Sequence, residues 1–287
     1  MKYNTLHAKM KKRHVIGAAL PLLVVLCGVN ALLEPHRLEV KTIVFSDPDV
    51  PESFDGFTIA FLTDLHHGKN LSRQRLREVV KTTNDLEPDL ILLGGDYVSA
   101  EAYIVPAAAE LGRLRARHGV HAVLGNHDHW ADAALTRIAL QRSGIALLDN
   151  HSFWIRRGDE RIRIGGVGDL MAGRQDLAPT IADVTESDFV LLVSHNPEYA
   201  EEIKSDRIDL MLAGHTHGGQ ITFFGLYAPI LPLRTGQKYR SGVVRNDNLT
   251  VIVSNGIGTV GPPLRFFAPP QVVLVTLRRP DAADPEL

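Results

Sequence analysis

The 287-residue sequence contains one cysteine, Cys27, so no intrachain disulfide can form. The cysteine cage of a structural zinc site is excluded as well. Net charge is also scarce: 31 Lys and Arg stand against 33 Asp and Glu, a formal balance of -2. A chain held mainly by nucleic-acid phosphates needs a broad basic field, so no specific nucleic-acid partner is expected. Internal repeats and low-complexity runs are missing, and at 45% hydrophobic residues the chain can bury one large core or two modest ones.

Charge is absent from one stretch in particular. Val15 to Leu33 carries none, and it follows a segment with Lys2, Lys9, Lys11, Lys12 and Arg13 but no acid. A helix of that length rises roughly 28 Å, near the ~30 Å hydrocarbon thickness of a bilayer. The bias of basic residues places residues 1–14 in the cytoplasm, makes 15–33 a single-pass transmembrane helix or signal anchor, and exports the rest. A cleaved signal peptide is the competing reading, because Val29-Asn30-Ala31 puts small residues at cleavage-type positions. Residues 34–55 then read as a linker and first strand region, 56–280 as the main domain and 281–287 as an acidic tail.

Short apolar runs alternate with amphipathic stretches, the pattern of a layered α/β domain. "FTIAFLTD", "DLILLGGD" and "GVHAVLGNHD" each precede a helical pattern, and three such units in a row predict a parallel sheet. "RIRIGGVGD", "FVLLVSHNP", "IDLMLAGHTH", "TVIVSNGIG" and "QVVLVTLRR" follow with less helix between them, enough for a second sheet packed on the first.

Polar residues punctuate the ends of these runs. Asp64-Leu65-His66, Gly95-Asp96, Gly125-Asn126-His127-Asp128, Ser194-His195-Asn196 and Gly214-His215-Thr216-His217 occur in that order. The carboxyl ends of strands line the ligand crevice of open α/β sheets, so residues distant in sequence can converge there. Asp and Asn oxygens with His nitrogens suit Mn, Fe or Zn. Two ions are accommodated if the Asp96 carboxylate bridges them and His215 and His217 face different ions. Gly214, Gly218 and Gly219 leave room for backbone and substrate to approach.

This ordered set resembles the calcineurin-like metallophosphoesterase superfamily, with all five motifs between Asp64 and His217. "DLILLGGDYV", "GVGDL", "SHNP", "DLMLAGHTHGGQ" and "GPPLRFFAPPQVVLVTL" resemble small membrane-associated bacterial phosphodiesterases of the YaeI type. The resemblance implies a two-sheet β-sandwich flanked by helices and two divalent metal ions. It implies Asp64, His66 and His217 on one ion, Asn126, His195 and His215 on the other, and Asp96 shared. It places His127 beside the phosphate as the catalytic residue, and the loop of Arg265 near the site, where a guanidinium could grip phosphate oxygens. His67 and His129 adjoin ligand positions but point the other way on extended backbone, as wall or solvent residues. Asp128 either orients His127 or opens a helix.

Asp96 is followed by "YVSAE", with Ser99 where protein Ser/Thr phosphatases of the superfamily carry a second Asp, which disfavours a protein substrate. The expected activity is hydrolysis of a phosphodiester or pyrophosphate by metal-activated water. A lipid-linked substrate such as UDP-2,3-diacylglucosamine of the lipid A pathway fits a bilayer anchor, although that nucleotide sugar lies on the cytoplasmic side and the charge bias exports this domain. A phosphomonoesterase or nuclease on the same metals, and a catalytically silent phospholipid-binding module, are the alternatives. "ITFFGLYAPILPL" with Phe266 and Phe267 would make either core or an apolar lip. Nothing in the sequence indicates an oligomeric state.

Overall fold

The computed structural model describes residues 21–246 and 249–280. Residues 1–20, which hold the basic segment and the start of the expected membrane span, lie outside the described residues, as does the 281–287 tail. Residues 21–33 are helical (α1), and among the described residues no helix is long and apolar enough to cross a membrane.

Two six-stranded sheets face each other. The first has the order β1 (Glu39–Ser46), β12 (Gln271–Arg278), β2 (Thr58–Leu62), β3 (Leu90–Leu93), β4 (Val120–Ala122), β5 (Ala146–Leu147). The second has the order β10 (Gly242–Asn246), β11 (Leu249–Val253), β9 (Leu210–Ala213), β8 (Val190–Val193), β7 (Glu160–Gly166), β6 (His151–Arg157). Strands β2 to β5 pair in parallel, as their strand-then-helix units require. The expectation that the late strands all join the second sheet fails at "QVVLVTLRR". As β12 it runs between β1 and β2, antiparallel to β2, so the first sheet is mixed and the 34–55 region contributes its edge strand.

The unbroken apolar runs are explained by burial on both faces. Ile59 and Phe61 of β2 with Leu90 and Leu92 of β3 point between the sheets, against Ile164, Leu191, Leu210 and Leu212. Ala60, Leu62, Ile91 and Leu93 point the other way, onto α2 (Arg73–Asp85) and α3 (Ile104–Leu111), where Leu76, Val79 and Ala107 meet them. Alternation puts successive side chains on opposite faces, so a strand covered on both sides must be apolar at every position. Each fully buried Phe or Leu contributes about 1.5–3 kcal/mol relative to an exposed one.

The helices begin where the sequence provides caps. Ser72 accepts from the Arg75 N–H at the start of α2. α4 (Asn126–Arg142) opens after Gly125, breaks at Asp132, and resumes with the Asp132 carboxylate accepting from the Leu135 N–H at 2.9 Å. The short α5 (Ala178–Ile181) covers β6 and β7. Both sheets therefore direct the carboxyl ends of β2, β3, β4, β8 and β9 into one crevice.

Candidate metal centre

Every strand-end residue expected at the site reaches this crevice. Asp64, His66 and His217 bring ligand atoms within 4.8 Å of one another, and so do Asp96, His195 and His215. The two groups meet at one atom. Asp96 Oδ2 lies 3.5 Å from His66 Nε2 in the first group and 3.3 Å from His195 Nε2 in the second. Its other oxygen, Oδ1, accepts the His127 backbone N–H at 2.8 Å. A single oxygen of the carboxylate expected to bridge is thus turned toward both groups. His66 and His217 face each other at 3.1 Å between Nε2 atoms, and His195 Nε2 stands 3.3 Å from His215 Nδ1.

The backbone that aims these side chains is unusual. Asp64, His66, Asp96, His215 and His217 all have positive φ, between 44° and 69°. Residues with a Cβ rarely adopt this left-handed region, each instance costs on the order of 1–3 kcal/mol, and such residues cluster at functional sites. Two glycines make the convergence possible. A Cβ at Gly125 would strike Asp96 Oδ1 and the His195 ring, and one at Gly214 would strike Asp64 Oδ2 and Thr63. Gly218 and Gly219, expected to let backbone and substrate approach, leave room for Asn255 and Ala228, and Gly219 also lines the cleft into which the crevice opens.

Hydrogen bonds orient the rings. His195 Nδ1 donates to the Gly94 carbonyl at 2.7 Å and His215 Nε2 to the Pro232 carbonyl at 3.3 Å, which turns His195 Nε2 and His215 Nδ1 inward as the atoms that would face a cation. Asp64 is held by the Thr63 hydroxyl at 2.8 Å and by the His215 N–H. Burial holds His66 and His215 down to about 4, so both are neutral at neutral pH, the form that ligates a cation. Burial raises Asp64 to about 6. At Asp96 burial opposes ionisation, but His195, with His66 and His127 beside it, outweighs that and keeps the carboxylate below its usual range.

The donor set fits metal ions by an independent criterion. Asn126 Oδ1 is buried and accepts no hydrogen bond, a costly state that a cation would relieve. Carboxylate and amide oxygens with neutral imidazoles suit borderline to hard divalent ions.

Other residues fall where sequence did not place them. Asp128 neither contacts His127 nor simply opens α4. Its carboxylate accepts the N–H groups of Asp96 (2.7 Å), Tyr97 (2.9 Å) and Gly125 (2.9 Å), locking the Asp96 loop to the next one. Nothing local in "GNHDHW" distinguishes this from an ordinary helix-start acid. His67 is buried against the Leu71 carbonyl and faces away, as expected of a wall. His129 is half-buried.

Arg265 requires a correction. It is 0% exposed, and its guanidinium donates to the carbonyls of Gly258, His217, Ala268 and Asn255. With its donors spent on backbone it cannot grip a phosphate; it braces the His217 loop from behind. The signal was available only in three dimensions.

The crevice opens into a cleft of about 540 Å³. Asp96, Asn126, His127, His215 and His217 form its floor, while Trp130, Met171, Ile221, Ile230, Leu231 and Val260 are among its walls. His127 is half-buried there, with its ring centroid 4.7 Å from those of both His66 and Trp130.

Fold and site together define a two-sheet α/β phosphoesterase with a dinuclear metal centre. Residues 57–219 match the family model for calcineurin-like phosphoesterases, and the chain belongs to that family. It is 30% identical over 259 residues to the uncharacterized metallophosphoesterase YkuE of Bacillus subtilis, covering 88% of this chain and 89% of that one. It is 35% identical to YpbG of the same organism, covering 78% and 82%. A transmembrane protein with metallophosphoesterase domain from Danio rerio is 29% identical, and this chain spans 59% of its length. The protein is a metal-dependent phosphoric ester hydrolase whose cofactor is a pair of divalent ions.

Proposed function

We propose that the protein is a membrane-anchored phosphodiesterase acting on a phosphodiester or pyrophosphate with an apolar, lipid-like portion. One observation carries the reading: a wholly polar, ligand-bearing floor sits under walls built from Trp130, Met171, Ile221, Ile230 and Leu231. A phosphate monoester of a small polar alcohol has nothing to place against such walls.

In this reading Asp64, His66 and His217 hold one ion, Asn126, His195 and His215 the other, and Asp96 is shared. Ions held there would make hydroxide available at neutral pH and would withdraw electron density from the phosphoryl group. His127, the half-buried imidazole on the floor, donates a hydrogen bond to a phosphoryl oxygen or a proton to the departing oxygen. Trp130 limits the motion of that imidazole, and the apolar walls exclude water from the reacting group.

Three features support the anchor. Residues 15–33 carry no charge, basic residues precede them, and Leu22, Leu23, Val24, Val25 and Leu26 of α1 are all exposed. The basic bias places the N-terminus in the cytoplasm and the domain outside, at the bacterial inner membrane. A YaeI-type enzyme and a substrate such as UDP-2,3-diacylglucosamine belong to this proposal, the latter requiring the opposite orientation. A C-terminal reporter fusion active only on one side decides between them.

The test of activity is hydrolysis of bis-p-nitrophenyl phosphate by the full chain with Mn²⁺. The native chain is expected to turn it over and Asp96→Ala to fail. Equal rates for the two would eliminate the proposal. A lipid-extract hydrolysis screen then names the substrate.

A further inference from the structure

The segment expected to be either core or lip is an exposed patch. Phe223, Phe224, Leu226, Tyr227, Ile230 and Phe267 are all exposed, Leu226 at 79% and Ile230 at 82%. They come from two loops that pack as one. Phe224 packs at a tilt against Phe267 with centroids 5.3 Å apart, and the Thr222 N–H donates to the Phe266 carbonyl at 3.0 Å.

The patch is held open at a conformational cost. The turn closed by the Phe223 N–H and Tyr227 carbonyl has Phe224 at φ 51° and Gly225 at φ 74°, and Phe267 lies at φ 53°. Bulky aromatic residues in the left-handed region are outliers. Folding alone rewards neither that backbone nor the exposure of these rings. The Arg240 guanidinium fixes the turn by donating to the Gly225 carbonyl at 2.6 Å and to the Gly218 carbonyl at 3.0 Å, the latter beside His217.

What faces this patch is indicated by its attachment to α1. Glu34, at the end of the helix and buried, accepts the N–H groups of Phe267 (3.0 Å) and Ala268 (2.6 Å), while the Arg265 N–H donates to the Ala31 carbonyl at 3.1 Å. The apolar helix therefore leaves the domain directly from the aromatic loop. Residues 21–33 carry no charge, and Leu22, Val24, Leu26, Val29 and Leu33 are exposed. A helix apolar on all sides belongs in a core or in lipid, and the described residues provide no core around it. At the junction Arg37 donates to Asn30 Oδ1, and Arg75 of α2 donates to the Pro35 and His36 carbonyls, which ties the end of α1 to the domain.

We infer that the loop 223–230 and Phe267 form an interfacial docking surface that enters the bilayer beside α1 and brings the mouth of the cleft to the lipid headgroups. This rests on the anchored reading above and gives it a geometry: the apolar walls continue through Ile221 and Ile230 into the inserted rim, so an acyl chain passes from bilayer to cleft without crossing water. Aromatic and aliphatic side chains at such a boundary are stabilised by burial a few ångströms below the headgroups.

The test uses the full chain in vesicles of phosphatidylethanolamine and phosphatidylglycerol. A single cysteine, Leu226→Cys or Val44→Cys, is introduced into a Cys27→Ser background and carries an environment-sensitive fluorophore. Val44 is also exposed but lies five residues along β1 from Glu39, roughly 17 Å from the start of that edge strand. Nitroxide-bearing lipid is expected to quench the Leu226 label at least about fivefold more than the Val44 label, with iodide showing the reverse order. Equal access of iodide to both labels on membrane-bound protein would overturn the proposal. So would a Leu226 label shielded from iodide yet untouched by the nitroxide lipid, since a second protein surface would then cover it. The depth reading needs no turnover: a chain that inserts its rim but hydrolyses nothing refutes the function proposed above and leaves this surface standing.

Discussion

The floor and the rim of the cleft invert the ordinary rule of burial in opposite senses. On the floor, Asp64, Asp96, Asn126, His195 and His217 are buried polar groups; on the rim, Phe223, Leu226 and Ile230 are exposed apolar ones. Buried ionisable groups and exposed apolar patches are the two informative departures from a folded protein's usual surface. Both regions also rest on left-handed backbone at residues other than glycine, at Asp64, His66 and Asp96 below and at Phe224 and Phe267 above. The central strands β2, β3, β8 and β9, where every apolar residue is buried, show neither departure. The difference teaches that stability is supplied by the sandwich and given up locally at the cleft, which is the expected cost of a working site.

The sharpest way to break this comparison is to remove the shared carboxylate. Asp96→Ala should lower hydrolysis of bis-p-nitrophenyl phosphate by well over the ~10–100-fold typical of groups that only support a ligand. Metal content measured on the purified variant should fall with it, and thermal stability should fall too, because the substitution leaves the His127 N–H and the His195 ring without their acceptor.

Gly125→Ala comes next. The backbone at this residue is extended and accepts alanine, so the effect is steric: the added methyl must displace Asp96 Oδ1 or the His195 ring. Activity should drop by roughly 10–100-fold with an unchanged far-ultraviolet circular dichroism spectrum. Full activity would show that the two ligand groups are less tightly coupled than their distances indicate.

Arg265→Met separates bracing from substrate contact. Leaving four buried carbonyls without their donor should reduce stability in urea unfolding by about 3 kcal/mol. A phosphate-gripping arginine would behave in the opposite way, raising KM for substrate at unchanged stability.

The smallest effect is expected far from the cleft, where Asp47, Asp49 and Asp209 gather without any imidazole. Burial first, then Asp47 and Asp49, push Asp209 up to about 7. A carboxyl whose folded-state pKa is raised binds its proton more tightly when folded. It therefore favours folding at low pH, and that advantage is lost as pH rises through about 7. Asp209→Asn keeps an acceptor for the Val190 N–H and should stabilise the protein at pH 8 by about 1 kcal/mol, with the difference vanishing below about pH 4, the range of an unfolded carboxyl. Denaturation midpoints at the two values check the sign.

The site was legible in the sequence to the extent that chemistry restricts residue type. An ion needs oxygen or imidazole donors at the mouths of strands, so Asp64, His66, Asp96, Asn126, His195, His215 and His217 stood out at the ends of apolar runs. The parallel order of β2 to β5 was equally legible, since a helix between strands forces it. The roles of Asp128, Arg265 and Glu34 were not. An acid after Gly-Asn-His, an arginine before two phenylalanines and a glutamate after an apolar run are each locally ordinary; Asp128 reaches Tyr97 across 31 residues, Arg265 reaches His217 across 48 and Glu34 reaches Ala268 across 234.

By itself the sequence determined the α/β layering, the metal-binding chemistry and an apolar N-terminal segment, because periodicity and donor type are properties a chain carries before it folds. Tertiary structure alone decided that Asp96 turns one oxygen to both ligand groups, that β12 crosses into the first sheet, and that Arg265 is sealed beneath His217. It also decided that an aromatic run becomes an exposed rim joined to α1 instead of core. These outcomes depend on which distant surfaces meet, and side-chain pattern along one segment contains no term for that.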